Sequence, residues 1–551
     1  MATEVRWRRG TAAQHEAFTG AMSEFTHNTT NNRIHVHDGL TEGGHATLML
    51  SERGAANGVA SLDSGGMVPL SQLGNVPISN YGSVAEVQAA NIPAPIMYLR
   101  TAGYYAAGDG GEALYKRSGS EPTHTGKIQS SDGAWWELSE TFPNNKMFGA
   151  KVDGVRRDYT IQNTGEWGNI ASLGWGTSGK TDDTAANQAL IDYIAAKGGG
   201  VGELCAGVSV TGKLTLKSGV VLVGEGGRSG TILMLKDSAN ANLVESESFA
   251  TLWGTTSKQG IHHAGLIGVT LDGNWVNNTS GSGIAVYGYS NIFRDVSITL
   301  FRENGLMTMW NSGGPLLGVE STYDNVYVDT VGKTGIWNRG PNDSKWLACV
   351  VIDASQSSDH GYDAWKFEDF APSRIIGCHA NNRMYGAIQS YDNTNGTLAF
   401  RHNVALHDLS GGLDITASHF EGAWYANAIF NGPSSNVDSS CHFYAPWNGL
   451  NVLIKQMIKF EGRVSGPGLS RPACIGIKLG DADNGPNNLD YSIISSLING
   501  CAAGTIDWTH AGNGLHVTAR GYQDGGPSKI GTVPAGTITS VFIGGASDSP
   551  Y

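Results

Sequence analysis

"GWGTSGKTDDTAANQALIDYIAAKGGGVGELCAGVSV", residues 174–210, admits two readings, and the fold depends on the choice between them. From Gly174 through Gly179 and Lys180 to Thr181 it matches G-x-x-x-x-G-K-[ST], the loop whose backbone N–H groups cradle phosphate ahead of a helix. A helix is expected next: Ala186, Leu190, Tyr193 or Ile194 and Lys197 fall at helical spacing, and Gly198 to Gly200 end the run. Asp182 and Asp183, however, stand at its N-terminus, where carboxylates satisfy the free N–H groups and repel a phosphate. The preceding "WGNIASLG" is a poor buried strand, and no alternating βαβ pattern follows. The stretch therefore reads as a helix leading into β structure and not as a nucleotide site.

Composition agrees. The chain has 551 residues, 77 of them glycine, and only 15% are charged. Glycine is thus about twice its usual share of roughly 7%, and charge is well under the usual figure of about 25%, which favours strands and turns over charged amphipathic helices. The length exceeds one ordinary domain unless a repeat extends it. A formal charge of -13 argues against a nucleic-acid partner. No stretch is apolar enough to span a bilayer, so no membrane partner is expected, and "MATEVRWRRG" lacks the apolar core of a signal peptide; synthesis in a cytosol is expected.

Cys205, Cys349, Cys378, Cys441, Cys474 and Cys501 form no C-x-x-C pair and read as buried thiols. His262 with His263, and His35 with His37, lack companions at zinc spacing. "DADNGPNNLD", residues 481–490, resembles a calcium loop only faintly, since Gly485 and Pro486 break the pattern and no glutamate closes it. No metal and no cofactor is expected.

Beyond residue 200 the helical period gives way to short apolar runs separated by Gly, Asn, Asp and Ser. "KLTLKSGVVLVGEG", residues 213–226, reads as strand, turn and strand. A unit opened by Gly or Ala then recurs roughly every 20 to 30 residues: "GIAVYG" at 283, "GLMTMW" at 305, "GIWN" at 335, "AWKFED" at 364, "GAIQS" at 386 and "GLDIT" at 412. Between these lie "NIFRDVSIT" at 291, "NVYVD" at 325, "LACVVID" at 347, "RIIGCHA" at 374 and "LAFRHNVAL" at 398. Two strands and their turns in each period are the pattern of a parallel β-solenoid whose turns carry insertions.

"MFGAKVDGVRRD", residues 147–158, followed by "KTDDTAANQALIDYIAAKGGGVGELCAGVSVTGKLTLKSGVVLVGEG", residues 180–226, resembles the opening signature of pectate-lyase-like right-handed β-helices of bacteriophage tailspikes. The resemblance implies that the helix caps the open end of the solenoid, hiding its apolar cross-section and unpaired edges. Residues 155–180 depart from the pattern as an insertion, and the phosphate-loop match falls inside it. "RWRRGTAAQHEAFTGAMSEFTHNTTNNRIHVHDGLTEGGHATLM", residues 6–49, is similar to the N-terminal module of phage tail fibres and tropism determinants. "ERGAANGVASLDSGGMVPLSQLG" resembles a tail-fibre linker, and "GYYAAGDGGEALYKR" with "SSDGAWWEL" a virion-docking tailspike head.

The expected fold is therefore all-β: a right-handed parallel β-helix solenoid with a small N-terminal virion-attachment region and a C-terminal β-rich domain. The expected boundaries are 1–50 for the N-terminal module, 51–80 for a linker, 81–142 for the head, 143–200 for neck and capping helix, 201–433 for the β-helix and 434–551 for the C-terminal domain. The resemblance implies a homotrimer in the virion tail, attached to the phage tail or baseplate through its N-terminal region. It also implies an enzyme that depolymerises a bacterial surface polysaccharide, whether capsule, exopolysaccharide or O-antigen.

Hydrolysis needs two carboxylates across a glycosidic bond. Elimination needs a base beside a uronate and cations to hold the developing charge. Stacked coils place equivalent residues about 4.8 Å apart, within reach of either arrangement. Turns ahead of the recurrent strands carry Arg302, Glu303 and Asn304, then Lys333, then Asp359, His360 and Asp363, then Arg383 and Tyr385, then His407 and Asp408. Turns after them carry Trp310 and Asn311, Trp337 with Asn338 and Arg339, Glu368 and Asp369, Gln389 with Tyr391 and Asp392, and His419 with Glu421. "SSDHGYDAWKFEDF", residues 357–370, is the densest cluster, and its acids also suit plain turns. The candidate catalytic residues are Asp359, Asp363, Glu368 and Glu303. The candidate sugar-binding residues are Trp310, Trp337, Trp365, Lys333, Arg339, Arg383 and Tyr385, with Trp310 and Trp337 equally suited to packing. Hydrolysis is expected first and a lyase second. The rival from another class is a spike that grips polysaccharide without cutting it.

Overall fold

A computed structural model describes residues 7–53, 59–62, 78–155, 179–311, 319–358, 360–382, 401–444, 446–447, 449–466, 474–482, 489, 492–511, 515–523, 529–534 and 536–545. The chain divides into two compact units, residues 1–79 with 91–99, and residues 80–90 with 100–551. In the first, helix Ala12–Glu16 opens with a reciprocal capping box between Thr11 and Gln14 and lies beside a sheet of Arg8–Gly10, Phe25–Asn28, Arg33–Val36 and His45–Ala46. His15 and His37 are both buried here and share the Thr26 hydroxyl, at 2.9 and 2.8 Å.

The second unit is a solenoid. From Gly200 onward its described strands form a 21-stranded and a 13-stranded parallel sheet, and pairing within the larger one alternates between two series, so each coil presents three faces. One series runs through Val220–Gly224, Thr322–Asp324, Ser344–Leu347 and Ser373–Ile376; the other through Tyr327–Val331, Val350–Ile352, His379–Asn381, His419–Glu421 and His442–Tyr444. The smaller sheet forms the remaining face, with Ile284–Tyr289, Leu306–Met309, Ile336–Arg339, Trp365–Phe367, Val404–Asp408, Ala426–Phe430, Leu450–Ile454 and Ile475–Leu479 in register.

The recurrent unit's leading glycine is now explained. A Cβ on Gly283, Gly305 or Gly335 would lie 2.3–2.4 Å from Ile298, Val328 or Val351, the β-branched residues of the preceding face. On these three coils the corner has room only for a very small first residue. Inside, register stacks like on like: the rings of Phe293, Tyr323 and Trp346 stack nearly parallel on consecutive coils, with centroids 5.6 and 3.8 Å apart.

Helix Thr184–Ala196 covers the N-terminal end of the solenoid with Ala186, Leu190, Ile191 and Ile194, as expected, and Ile194 settles against the bare backbone of Gly202. Gln188 completes the cap by exchanging two hydrogen bonds with Thr215, pairing a strand edge that has no earlier coil. One of the two aspartates departs from expectation. Asp182 accepts the Thr184 N–H at 3.0 Å, but the Asp183 carboxylate turns away from the helix and accepts from Lys151 N, Val152 N and the Ser209 hydroxyl at 2.8–3.0 Å. Thr181 of the phosphate-loop match donates both its N–H and its hydroxyl to Asp153. An internal acid thus occupies the place of a phosphate, and residues 174–178 of the match lie outside the described residues. Strands Ala113–Ser118, Lys127–Gln129 and Trp135–Leu138 of the head meet the capping helix through Tyr193, whose hydroxyl donates to Leu138 O, and through Lys197, paired with Glu137.

Two sequence expectations are corrected. The described residues of 434–551 continue the repeat: Leu450–Ile454, Ile475–Leu479, Gly504–Asp507 and Lys529–Ile530 extend the smaller sheet, and His516–Gln523 and Ile538–Gly545 the larger. The assignment of units also slips after residue 382. Val404–Asp408 is the next strand of the smaller sheet, whereas Asp414–Thr416 from "GLDIT" belongs to the larger, and "GAIQS" lies outside the described residues.

Removing the Asp183 carboxylate strands two backbone donors and the Ser209 hydroxyl at the cap. Asp183→Ala is expected to cost about 2–4 kcal/mol in denaturant unfolding; a change under about 0.5 kcal/mol would show that the helix holds without it. Asp408 offers a pH test. Burial pushes its carboxyl up to about 6, against hydrogen bonds from Ser435 and Gly411. The native state then holds a proton that the unfolded chain releases at lower pH, so stability falls as pH rises from about 4 through 6, by about 3 kcal/mol. Melting temperatures at pH 4.5 and 7.5 are expected to differ less in Asp408→Asn than in the wild type.

Candidate functional site

Strand alternation builds the site. On the smaller sheet Ile284, Leu306, Ile336, Trp365 and Leu406 form one register column and Ala285, Met307, Trp337, Lys366 and His407 the next. The first column is buried throughout, so the second faces outward. Its early members lie under an excursion that includes helix Phe249–Leu252: Phe249 packs with Ala285, Tyr287, Met307, Met309 and Trp310, and Trp253 reaches on to Trp337. Further along the solenoid, outward Ile429 and Leu453 are again buried. Between these apolar stretches the face is polar and partly open.

Glu368 lies at its centre, with 18% of its side chain exposed. It accepts from Trp337 Nε1 at 2.9 Å, from Lys366 Nζ at 2.7 Å and from Arg339 at 3.2 Å. Three donors thus converge on one carboxylate. Arg339 also pairs with Asp369 on the next coil and lies 5.2 Å over the Trp253 ring. Trp253 meets Trp337 edge to face, with centroids 5.3 Å apart, and Lys366 lies 5.0 Å over Trp337. On the side where the strands begin, Glu303 and Lys333 bridge two coils at 2.7 Å. Asp363 accepts from His407 Nδ1 at 2.8 Å, which leaves Nε2 as that imidazole's other nitrogen. Acids and bases alternate along and across the coils, beside an aromatic wall of Trp253 and Trp337.

The structure brings together most of the residues singled out from sequence: Glu303, Lys333, Trp337, Arg339, Asp363 and Glu368 share this face. It places Trp365 elsewhere. That side chain is fully buried and packs on Trp346 and Phe367, so its ring is no sugar platform. Trp310 is equally buried, with Nε1 bonded to Gln259 O, which resolves its two readings in favour of packing. Asp408 points inward and His419 and Glu421 belong to a different face. Arg302 is structural, donating to the Trp275 and Asn278 carbonyls. Asp359, Arg383 and Tyr385 lie outside the described residues, as do Gln389, Tyr391 and Asp392.

Sequence reasoning missed Lys366 and Trp253. Lys366 was legible from "AWKFED", because Trp365 and Phe367 turned inward put Lys366 and Glu368 outward. Trp253 carried no local signal, since its excursion lies several coils earlier in sequence. Among the described residues no group of three or more His, Cys, Asp or Glu is arranged to hold a metal, and no helix is long and apolar enough to cross a membrane.

Fold and face together define a class, the right-handed parallel β-helices that carry a charged, aromatic-walled outer surface. Residues 5–41 match the Major tropism determinant N-terminal domain. Over 44 residues the chain is 54% identical to the tail fiber receptor-binding protein of Bordetella phage BPP-1, covering 8% of this chain and 12% of that one. Over 291 residues the chain is 27% identical to a Klebsiella phage K5-4 protein, Depolymerase 1, capsule K8-specific, covering 50% of this chain and 36% of that protein. The chain thus spans about a third of the length of the depolymerase and about an eighth of the receptor-binding protein. Among solved structures it is similar in fold to the A-module of the mannuronan C-5 epimerase AlgE4 of Azotobacter vinelandii, with a TM-score of 0.50 and 16% identity over 72% of this chain and 99% of that one.

Proposed function

We propose that the protein is a phage tailspike that binds a bacterial surface polysaccharide and cuts it on the outer face of the smaller sheet. The observation that carries this reading is the Trp253, Trp337, Arg339, Lys366 and Glu368 cluster beside the Asp363–His407 pair. The similarity to a protein named as a capsule depolymerase supports it, and the tail-fibre N-terminal domain supports a place in the virion tail. Assembly as a homotrimer is part of the same reading.

Indole faces pack on pyranose C–H surfaces, and the polar groups take hydroxyls. In hydrolysis, Glu368 takes a proton from the attacking water as its oxygen bonds to the sugar carbon. His407, held by Asp363, gives its proton to the departing glycosidic oxygen as the C–O bond breaks. Glu303 with Lys333 extends the groove by one coil, and Asp359 is a further candidate acid from the sequence. Elimination is the second reading, favoured by the His407 base and by Arg339 and Lys366, which would neutralise a uronate.

Purified protein incubated with a panel of capsular polysaccharides and exopolysaccharides is expected to shorten one of them, with products that gain one water per cut. Products lacking that water and absorbing as unsaturated uronic acids would establish elimination, and a polymer bound but left intact would leave a non-cutting adhesin. Glu368→Gln and His407→Ala are each expected to lower kcat by about a hundredfold or more. Trp253→Ala is expected to raise KM by about tenfold with a smaller change in kcat. Wild-type rates in both polar variants would remove this cluster from the chemistry.

A further inference from the structure

A second ordered set of polar side chains stands on another face of the solenoid, on strands His379–Asn381, His419–Glu421, His442–Tyr444 and Arg463–Ser465. Register pairs His379 with His419, His419 with His442 and His442 with Arg463, one imidazole or guanidinium on each coil. Ring centroids along the column are 5.2 and 4.9 Å apart. Two residues on, Glu421, Tyr444 and Ser465 form a parallel column. Glu421 lies 3.3 Å from His379 Nε2 and 3.4 Å from His419 Nε2, and His442 Nε2 is 3.0 Å from the Ser465 hydroxyl. Tyr444 is 40% exposed.

Coil stacking does not require this chemistry. On the same strands Phe420 stacks on Phe443 inside the solenoid, and that contact keeps the register. The outer column has electrostatics of its own. Burial pushes the His442 imidazole down to about 4, with His419 and Arg463 adding to the effect. Hydrogen bonds from His379 and His419 hold the Glu421 carboxyl down at about 2. Acid, imidazole, phenol and guanidinium in two straight rows offer acceptors, two-way nitrogens and an aromatic face, which is what sugar hydroxyls and C–H surfaces engage. The rows also lie one corner from the proposed groove. The turn after Glu421 leads directly into Ala426–Phe430 of the smaller sheet, and ring pairs line this corner: His360 on Trp424, and Arg401 over Trp447, each at 3.8 Å.

We propose that His379, His419, His442 and Arg463, with Glu421 and Tyr444, form an auxiliary carbohydrate-binding strip that holds uncut polysaccharide next to the groove. The inference rests on the reading of that groove as a polysaccharide-cleaving site. The strip binds through hydroxyls, supplies no reacting group, and raises the affinity for long chains by linking two sites on one polymer.

The test is native-gel retardation in a panel of purified capsular polysaccharides and exopolysaccharides, paired with KM and kcat on any polymer that is cut. His419→Ala/Tyr444→Ala, and the exposed single variant Tyr444→Ala should the double variant not fold, are expected to weaken retardation and raise KM for polymer by about tenfold. Their kcat and assembly mass are expected to stay at wild-type values, and turnover of short oligosaccharides to be unaffected. Unchanged retardation and KM in a folded variant would overturn the strip. A changed assembly mass would also overturn it, by making this face a contact between copies of the chain. If the wild type cuts no polymer in the panel, the cleavage reading fails, and retardation alone still decides the strip.

Discussion

Parallel hydrogen bonding of one coil on the next governs the rest of the molecule. Strands about 4.8 Å apart in unbroken register force each residue to repeat the orientation of its partner one coil away. Ile284, Leu306, Ile336 and Trp365 therefore share the interior, and Met307, Trp337, Lys366 and His407 share the exterior, although each neighbouring pair is separated by a full coil of sequence. The same constraint sets the corner. On three coils the chain bends from one face to the next where Gly283, Gly305 or Gly335 leaves room for the β-branched residue packed behind it.

A stack of parallel coils has no closing contact of its own, so its first edge is exposed to water and to other strands. The capping helix answers both liabilities, with apolar residues set against the first coil and Gln188 bonded to a strand that lacks an earlier neighbour. Asp183 fixes the helix to the segment before it through two backbone N–H groups and Ser209. Strands Lys127–Gln129 and Trp135–Leu138 then lean on the far side of that helix through Tyr193 and Lys197, so this small sheet and the solenoid share one element.

Register also decides the electrostatics of the outer face. Two like charges one coil apart would repel by roughly 3 kcal/mol at an effective dielectric of about 20. Signs alternate instead: Glu303 meets Lys333, Arg339 meets Glu368 and Asp369, and Asp363 meets His407. Each pair is only partly buried, so desolvation is modest and the polar groups stay within reach of a ligand. The Trp253 and Trp337 rings wall off one end of this array, and the excursion that brings Trp253 also covers the apolar side chains of the preceding coils.

Local sequence determined the period, the glycine corners and the capping helix, because each follows from side-chain size or apolar spacing within one coil. It also marked Glu303, Lys333, Trp337, Arg339, Asp363 and Glu368, since charged and aromatic residues at coil turns are conspicuous in a chain so poor in charge. Only the tertiary structure decided which of them meet. Trp365 and Trp337 look alike in sequence, and the alternation of their strands sends one inward and the other outward. The long segment ahead of Val404 shifted the apparent phase of the repeat, so His407 was read as a turn residue and the later coils as a separate domain. Trp253 reaches the site from an excursion several coils earlier, and the histidine column becomes a column only when four coils are stacked. These are contacts between residues far apart in the chain, and coil-on-coil register, which no single period of sequence contains, is what brings them together.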